Sequence, residues 1–256
     1  MPDLLAVIHE DDELLVVNKP AGLVCHPTKG DAYSSLISRV RLHVGKSMRL
    51  HLINRLDRDT SGVTLIAKND DVARELRRLW EKRAVEKEYL AIVHGHVRVE
   101  HGVIDAPLGK DECSRVAIKD CVRPDGGPSQ TEFRVSHCFS ASGRDFSLLR
   151  VVPRTGRKHQ IRIHLAHLGH PIVGDNLYGG DEDLYLALVE DRLTETQRAR
   201  LILPHQALHA AKVSFGWKDR VMEFSAKPEP WFEDFVAGCV FARPRPASVT
   251  NSGLLL

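Results

Sequence analysis

The chain has 256 residues, 43% of them hydrophobic and 27% charged, with a formal net charge of +2. This suits one large domain or two small ones with a substantial core, and it excludes disordered and fibrous classes. No apolar run approaches the roughly 20 residues of a membrane span, and Met1 to Leu5 lacks the basic-then-apolar pattern of a signal peptide, so no membrane partner and a cytoplasmic setting are expected.

Leu14-Leu15-Val16-Val17 reads as a buried strand running into the turn Asn18-Lys19-Pro20-Ala21-Gly22. Ser34 to Val44 reads as a short helix, and Val63 to Ala67 as a strand. Asn69 or Asp70 then caps a helix whose apolar positions Val72, Leu76, Leu79 and Trp80 follow helical spacing. Tyr89 to Val97, Gly102 to Ala106, Thr131 to Cys138 and Phe146 to Val152 are strand-like, and Pro124-Asp125-Gly126-Gly127-Pro128 is a turn between two of them. A helix over Arg157 to Leu168, striped by Ile161, Leu165 and Leu168, ends at Gly169 and Pro171. Leu208 to Phe215 and Val221 to Phe224 are late strands. Residues 243–256 read as a disordered tail, leaving one domain over 1–242.

Strands in adjacent runs with a few helices indicate an α+β fold around a largely antiparallel mixed sheet. No Gly-rich phosphate loop opens a helix, which argues against a nucleotide cofactor. Cys25, Cys113, Cys121, Cys138 and Cys239 are odd in number, scattered and without a CxxC pair, so reduced thiols are expected rather than disulfides or a zinc site.

The small net charge neither demands nor excludes nucleic acid, because local clustering binds phosphate. Arg154, Arg157, Lys158 and Arg162 form one cluster. Arg74, Arg77, Arg78, Lys82 and Arg83 form another, which reads equally well as a solvated helix face. Asn54-Arg55-Leu56-Asp57-Arg58-Asp59-Thr60-Ser61-Gly62 packs charge and turn-formers before a strong strand, where catalytic groups are often placed. By composition alone it reads more readily as a surface turn.

That stretch resembles the signature of the RluA-type pseudouridine synthases, an Arg-Leu-Asp triplet leading into Thr-Ser-Gly. Glu10 to Pro27 resembles the family's opening strand and turn, and Lys87-Glu88-Tyr89 its second motif. Arg154-Thr155-Gly156-Arg157-Lys158-His159-Gln160-Ile161-Arg162 resembles the third, continued through His164 to Asp175 and Leu177-Tyr178-Gly179. Leu208-His209-Ala210 resembles a late element. Asn54 stands where the family commonly has histidine, which puts one local hydrogen bond in doubt. Many relatives carry an N-terminal S4-type RNA-binding domain; none is expected here, because the opening strand is read within the first ten residues.

The resemblance implies the pseudouridine synthase catalytic fold and isomerisation of uridines in ribosomal or transfer RNA. The missing S4-type domain tilts the choice toward a small stem-loop such as one in transfer RNA. Nothing is oxidised and no group is gained, so neither cofactor nor metal is expected. Asp57 is the implied catalytic aspartate, attacking ribose C1′ or taking a ribose proton on the way to a glycal. Arg162 is its implied partner, since a guanidinium stays charged when buried. Tyr89 is expected to stack on the uracil and, with help from a neighbour, to handle the C5 proton. Arg55, two residues before Asp57, is expected to fill the place of a flipped uridine. Arg154, Arg157 and Lys158 are expected to contact RNA. A monomer is the default.

Two other readings compete. His159, His164, His167 and His170 suggest a metal-dependent hydrolase, without HExxH or a cysteine at ligand spacing. A catalytically silent RNA-binding protein is the other, although Asp57, Tyr89 and Arg162 are all present.

Overall fold

The computed structural model describes residues 5–27, 35–45 and 48–238. Strand β1 (Ala6–Glu10) pairs antiparallel with β2 (Leu14–Lys19). Asp11 closes the turn, its Oδ1 accepting the amides of Glu13 and Leu14 at 2.8 and 2.7 Å. Helix α1 (Leu36–Val44) is capped by Ser35. The short β3 (His51–Leu52) leads through the Asp57 loop into β4 (Ser61–Ala67), buried along its whole length. Helix α2 (Asp70–Glu81) starts at Asn69, whose side chain accepts the Val72 amide at 2.9 Å. Then come β5 (Val85–His94), β6 (His101–Asp105), β7 (Leu108–Lys110) and β8 (Asp120–Val122). The long hairpin β9 (Gln130–Ala141) and β10 (Arg144–Pro153) precedes helix α3 (Gln160–His167). Helices α4 (Glu182–Val189) and α5 (Glu195–Leu201), strands β11 (Leu208–Trp217) and β12 (Arg220–Ser225), and helix α6 (Pro230–Val236) complete the described chain.

The main sheet runs β1-β2-β4-β11-β5-β10-β9-β6, with β12 beside β11 and β3 beside β4. Every pair is antiparallel except β4 with β11, where His209 lies opposite Ser61 and Ala210 opposite Gly62. The expected α+β architecture with a largely antiparallel mixed sheet is thus what the chain forms. Leu149, Val151, Ile161 and Leu165 lie in one core cluster, and Leu65, Leu76, Val213 and Phe215 in another. Among the described residues no helix is long and apolar enough to cross a membrane.

The parallel pair at mid-sheet positions the site. Register carries a row of residues across four strands: Gly62, Ala210, Tyr89 and Val151. At about 4.8 Å per strand, Gly62 and Tyr89 are about 10 Å apart, with only Ala210 between them. Gly62 has φ +118°, and a Cβ there would come 2.2 Å from the Ala210 carbonyl oxygen. Backbone strain and overpacking each cost about 1–3 kcal/mol. Gly62→Ala should therefore lower the urea midpoint clearly and pull β4 from β11. An unchanged midpoint would show that the close approach is not needed.

Several boundaries moved. The strand expected from Tyr89 begins at Val85, which pairs with Phe215, and stops at His94, because Gly95 turns the chain at φ +80°. The helix expected from Arg157 begins at Gln160. The Gln160 Oε1 accepts the Arg157 amide at 3.0 Å and the Thr155 hydroxyl at 2.6 Å, holding 155–158 as a turn, and His159 enters the helix at φ +54°. Its end is as expected: the His170 amide reaches back to the Leu165 carbonyl around Gly169 at φ +87°. Helices α4, α5 and α6 were not anticipated. Ser34, Cys239 and the tail from residue 243 lie outside the described residues.

Candidate active site

Asp57 sits in the loop between β3 and β4, its side chain about a third exposed at 32%. Its Oδ2 accepts a hydrogen bond from Arg162 Nη1 at 2.8 Å. Arg162, buried on α3, turns its other two donors on Asp175: Nε to Oδ2 at 2.7 Å and Nη2 to Oδ1 at 2.9 Å. Asp175 is fully buried and also accepts the amides of Leu177 and Tyr178, both at 2.9 Å. Burial pushes the Asp175 carboxyl up, but Arg162 and those amides outweigh it and hold it low. Burial likewise works against the Arg162 charge, and Asp175 and Asp57 more than restore it. The result is a chain from a buried carboxylate through a fixed guanidinium to a carboxylate partly open to solvent. The Tyr178 ring lies against the guanidinium carbon at 5.0 Å.

The Asp57 loop is held by its neighbours. The Lys19 side chain is completely buried and its ammonium donates to the carbonyls of Pro20, Leu23 and Arg58 at 2.9, 2.7 and 3.0 Å. Burial pushes this amine down to about 8, against the pull of nearby acidic groups, Asp59, Glu229 and Asp57 among them. The Thr60 amide closes a turn onto the Asp57 carbonyl at 3.2 Å, and the Thr60 hydroxyl accepts from Gln206 at 2.5 Å. Ser61 Oγ and His209 Nδ1 are 2.9 Å apart, and His209 Nε2 reaches the Ala226 carbonyl at 3.0 Å. Asn54, which stands in place of the expected histidine, donates to the Val63 carbonyl at 3.0 Å and accepts the Leu65 amide at 2.8 Å.

Tyr89, from mid-β5, is half-buried with its hydroxyl pushed up to about 12 by burial and by the Asp57 charge. The neighbour that might have eased a proton away from C5 therefore opposes ionisation. His159 places Nε2 3.8 Å from Asp57 Oδ1, while its Nδ1 meets the Tyr178 hydroxyl at 2.9 Å. The Tyr178 oxygen also accepts the Asp120 amide at 3.2 Å, which ties this pair to β8. Burial pushes the His159 imidazole down, with Asp57 pulling the other way. Sequence reasoning quoted Lys19 and Asp175 within motifs without giving them a part in the site, and weighed His159 only as a metal ligand. An arginine and an aspartate embedded in one long motif were the available signal.

The expected RNA-contact residues divide. Arg55 is exposed and makes no ion pair with Asp57, Asp59 or any other described residue; Asp59 instead meets His205 Nδ1 at 3.0 Å. Arg157 is exposed and free of carboxylates among the described residues. Arg154 is forked onto Glu132 at 2.7 and 2.6 Å, and Lys158 lies 3.0 Å from Asp120, so both carry partly neutralised charge.

The histidine run is structural where it is buried. Both His164 nitrogens are taken, by Thr131 Oγ1 at 2.8 Å and the Ala106 carbonyl at 2.9 Å, which leaves none for a metal. Burial pushes His164 and His209 below the ordinary imidazole value, against the pull of those carbonyls. With a folded value below the unfolded one near 6.5, the unfolded chain binds more protons as acidity rises. This contribution to stability is present above about pH 6.5 and lost as pH falls below it. The urea midpoint should drop between about pH 7.5 and about pH 5.5, before most carboxylates titrate. A flat or rising midpoint over that window would contradict it.

A family model described as RNA pseudouridylate synthase matches residues 13–167. The ribosomal large subunit pseudouridine synthase D of Nitrosomonas europaea is 37% identical over 209 residues, covering 80% of this chain and 56% of that protein. The synthase C of Vibrio cholerae is 36% identical, covering 82% and 60%. The chain thus spans little more than half the length of these curated relatives. The solved structure of human RNA Pseudouridylate Synthase Domain Containing 1 superposes with a TM-score of 0.70 at 25% identity, covering 94% of this chain and 96% of that one. Human RNA Pseudouridylate Synthase Domain Containing 4 gives 0.70 at 26%, covering 94% and 95%.

Proposed function

Because the chain belongs to the RNA pseudouridylate synthase family, we propose that it isomerises selected uridines of structured RNA to pseudouridine, with Asp57 as the catalytic carboxylate. The observation that carries this reading is the Asp57–Arg162–Asp175 chain, which presents one partly exposed carboxylate on a fixed arginine. Such an arrangement supplies a positioned anion without a metal.

In the proposed reaction the bond from C1′ to N1 breaks, the uracil turns, and C1′ joins C5. The C5 proton leaves and N1 gains one, so atoms balance. Asp57 loses its charge on either route, by forming an ester with C1′ or by taking a ribose proton. That loss removes the Asp57 contribution to the raised Tyr89 value. Tyr89 stacks on the uracil, and its phenol becomes easier to ionise only after Asp57 has acted. His159 Nε2 flanks the carboxylate, 3.8 Å from Asp57 Oδ1.

Arg55, exposed beside the carboxylate, fills the space left by the extruded base. Arg55→Ala should slow turnover about 10-fold on a stem-loop, equivalent to about 1.4 kcal/mol, and by much less on an unpaired strand. Equal losses on both substrates would remove the base-flipping role. The names of the bacterial relatives favour ribosomal RNA of the large subunit over the transfer-RNA stem-loop first expected. To test the reaction, RNA incubated with the protein would be digested to nucleosides and separated. A new nucleoside with the mass of uridine is the expected product. An unaltered uridine peak in ribosomal and transfer RNA alike would speak against the proposal.

A further inference from the structure

A groove of about 760 Å³ opens beside the site, between the end of α2, the start of β5 and the Arg154–Arg157 turn. Asp57 and Tyr89 are not among its lining residues. Its cations are unevenly occupied. Arg154 is held by Glu132, with Glu86 at 4.0 Å. Arg83, Lys87 and Arg157 make no ion pair with any described residue. The Arg157 guanidinium lies over Gly127, so closely that a Cβ there would come within 2.7 Å of it.

Lys87 is half-buried, and both burial and the neighbouring Arg83 disfavour its charge. The Arg83 charge is felt at Lys87 on the same wall, and the groove's carboxylates, Glu81 and Glu86, form no ion pair with either cation. Arg83 occupies the left-handed position after α2, at φ +55°, where glycine is the ordinary residue. Its amide and that of Ala84 close the helix onto the Trp80 and Leu79 carbonyls at 3.1 and 2.9 Å, so the backbone delivers Arg83 to the groove rim. Lys87 precedes Tyr89 by two residues on one strand, so both side chains share a face with Cα atoms about 6.8 Å apart. The opposite wall, the 154–157 turn, leads directly into the helix that carries Arg162.

We propose that this groove holds the RNA strand flanking the target uridine, with Arg83 and Lys87 gripping a phosphodiester and Arg157 lining its path. The proposal rests on the isomerase reading for the identity of the RNA, but the groove's ligand is defined by chemistry: a single-stranded phosphodiester backbone. Both walls run straight from catalytic side chains. A strand whose uridine is held between Tyr89 and Asp57 therefore meets the groove about one nucleotide away. A basic groove tracking a backbone beside an aromatic stacking platform is how single strands are commonly held.

The test measures binding of a single-stranded oligouridylate to the full chain carrying Asp57→Asn, across a range of salt. Each phosphate contact on a single strand contributes about 0.7 to the slope of log affinity against log salt. Adding Arg83→Asn, which suits the left-handed backbone, or Lys87→Gln should each reduce the slope, and both together should reduce it by about 0.7, the share of the one phosphodiester they grip. Lys87→Arg should keep the slope, and circular dichroism would confirm that each variant is folded. An unchanged slope in the folded double variant would overturn the proposal, as would an Asp57→Asn protein that binds no oligouridylate. Pseudouridine formation by chains with Asp57 intact is followed in parallel. A slope that depends on the two cations with no pseudouridine made would uphold the groove and sink the isomerase reading. Pseudouridine made with an insensitive slope would do the reverse.

Discussion

Arg162→Met is expected to abolish turnover and to cost about 3–5 kcal/mol of stability, the usual penalty for leaving one charge of a buried pair alone. Arg162 satisfies two carboxylates at once through Nε, Nη1 and Nη2. Asp175, fully buried, would keep only the Leu177 and Tyr178 amides. Lysine cannot replace the fork, because a point charge cannot donate along three fixed directions, so Arg162→Lys should also be impaired. The two effects separate in a double variant. Arg162→Met with Asp175→Asn removes the stranded charge, so the urea midpoint should recover much of its loss while turnover stays absent, because Asp57 has lost its one side-chain hydrogen bond among the described residues. Wild-type stability in the single methionine variant would show that the pair is not what holds α3 to the 175–178 turn.

Asp57→Asn should reduce turnover by at least about a thousand-fold, roughly 4 kcal/mol of lost transition-state stabilisation. The amide matches the carboxylate in shape but can neither bond to C1′ nor take a ribose proton. Stability should change by less than about 1 kcal/mol, because the loop is fixed by Lys19, Thr60 and Ser61 rather than by the Asp57 side chain. RNA binding should largely survive and remain salt-dependent. Loss of folding or of binding alongside turnover would move Asp57 from chemistry to architecture.

Much of the site was legible because its parts are local. Asn54 to Gly62 announces a charged turn before a buried strand, and the apolar run Leu14 to Val17 announces its neighbour. Ile161 and Leu165 mark the buried face of the helix that carries Arg162. What stayed hidden depends on long-range geometry. The parallel pairing of β4 with β11 joins Ser61 to His209 across 148 residues, and no periodicity reports that. Lys19 reads as part of a polar turn, yet it is completely buried, because three carbonyls of the converging loops replace its water. Asp175 sits in a Gly-Asp turn, where an aspartate commonly bonds its own backbone. It does so here, and the same carboxylate also anchors Arg162. The start of α3 was misplaced because the Gln160 side chain, not a conventional cap, organises the preceding turn.

The most direct test of the central claim is tritium release from RNA labelled at uridine C5, since joining C1′ to C5 must expel that hydrogen. Ribosomal and transfer RNA fractions from a strain lacking the gene would be compared, each with the wild-type chain and with Asp57→Asn. Release by the wild type in at least one fraction, and by Asp57→Asn in neither, is the predicted result, and the active fraction would name the substrate class. Equal release by both proteins, or none by the wild type from either fraction, would contradict uridine isomerisation at Asp57.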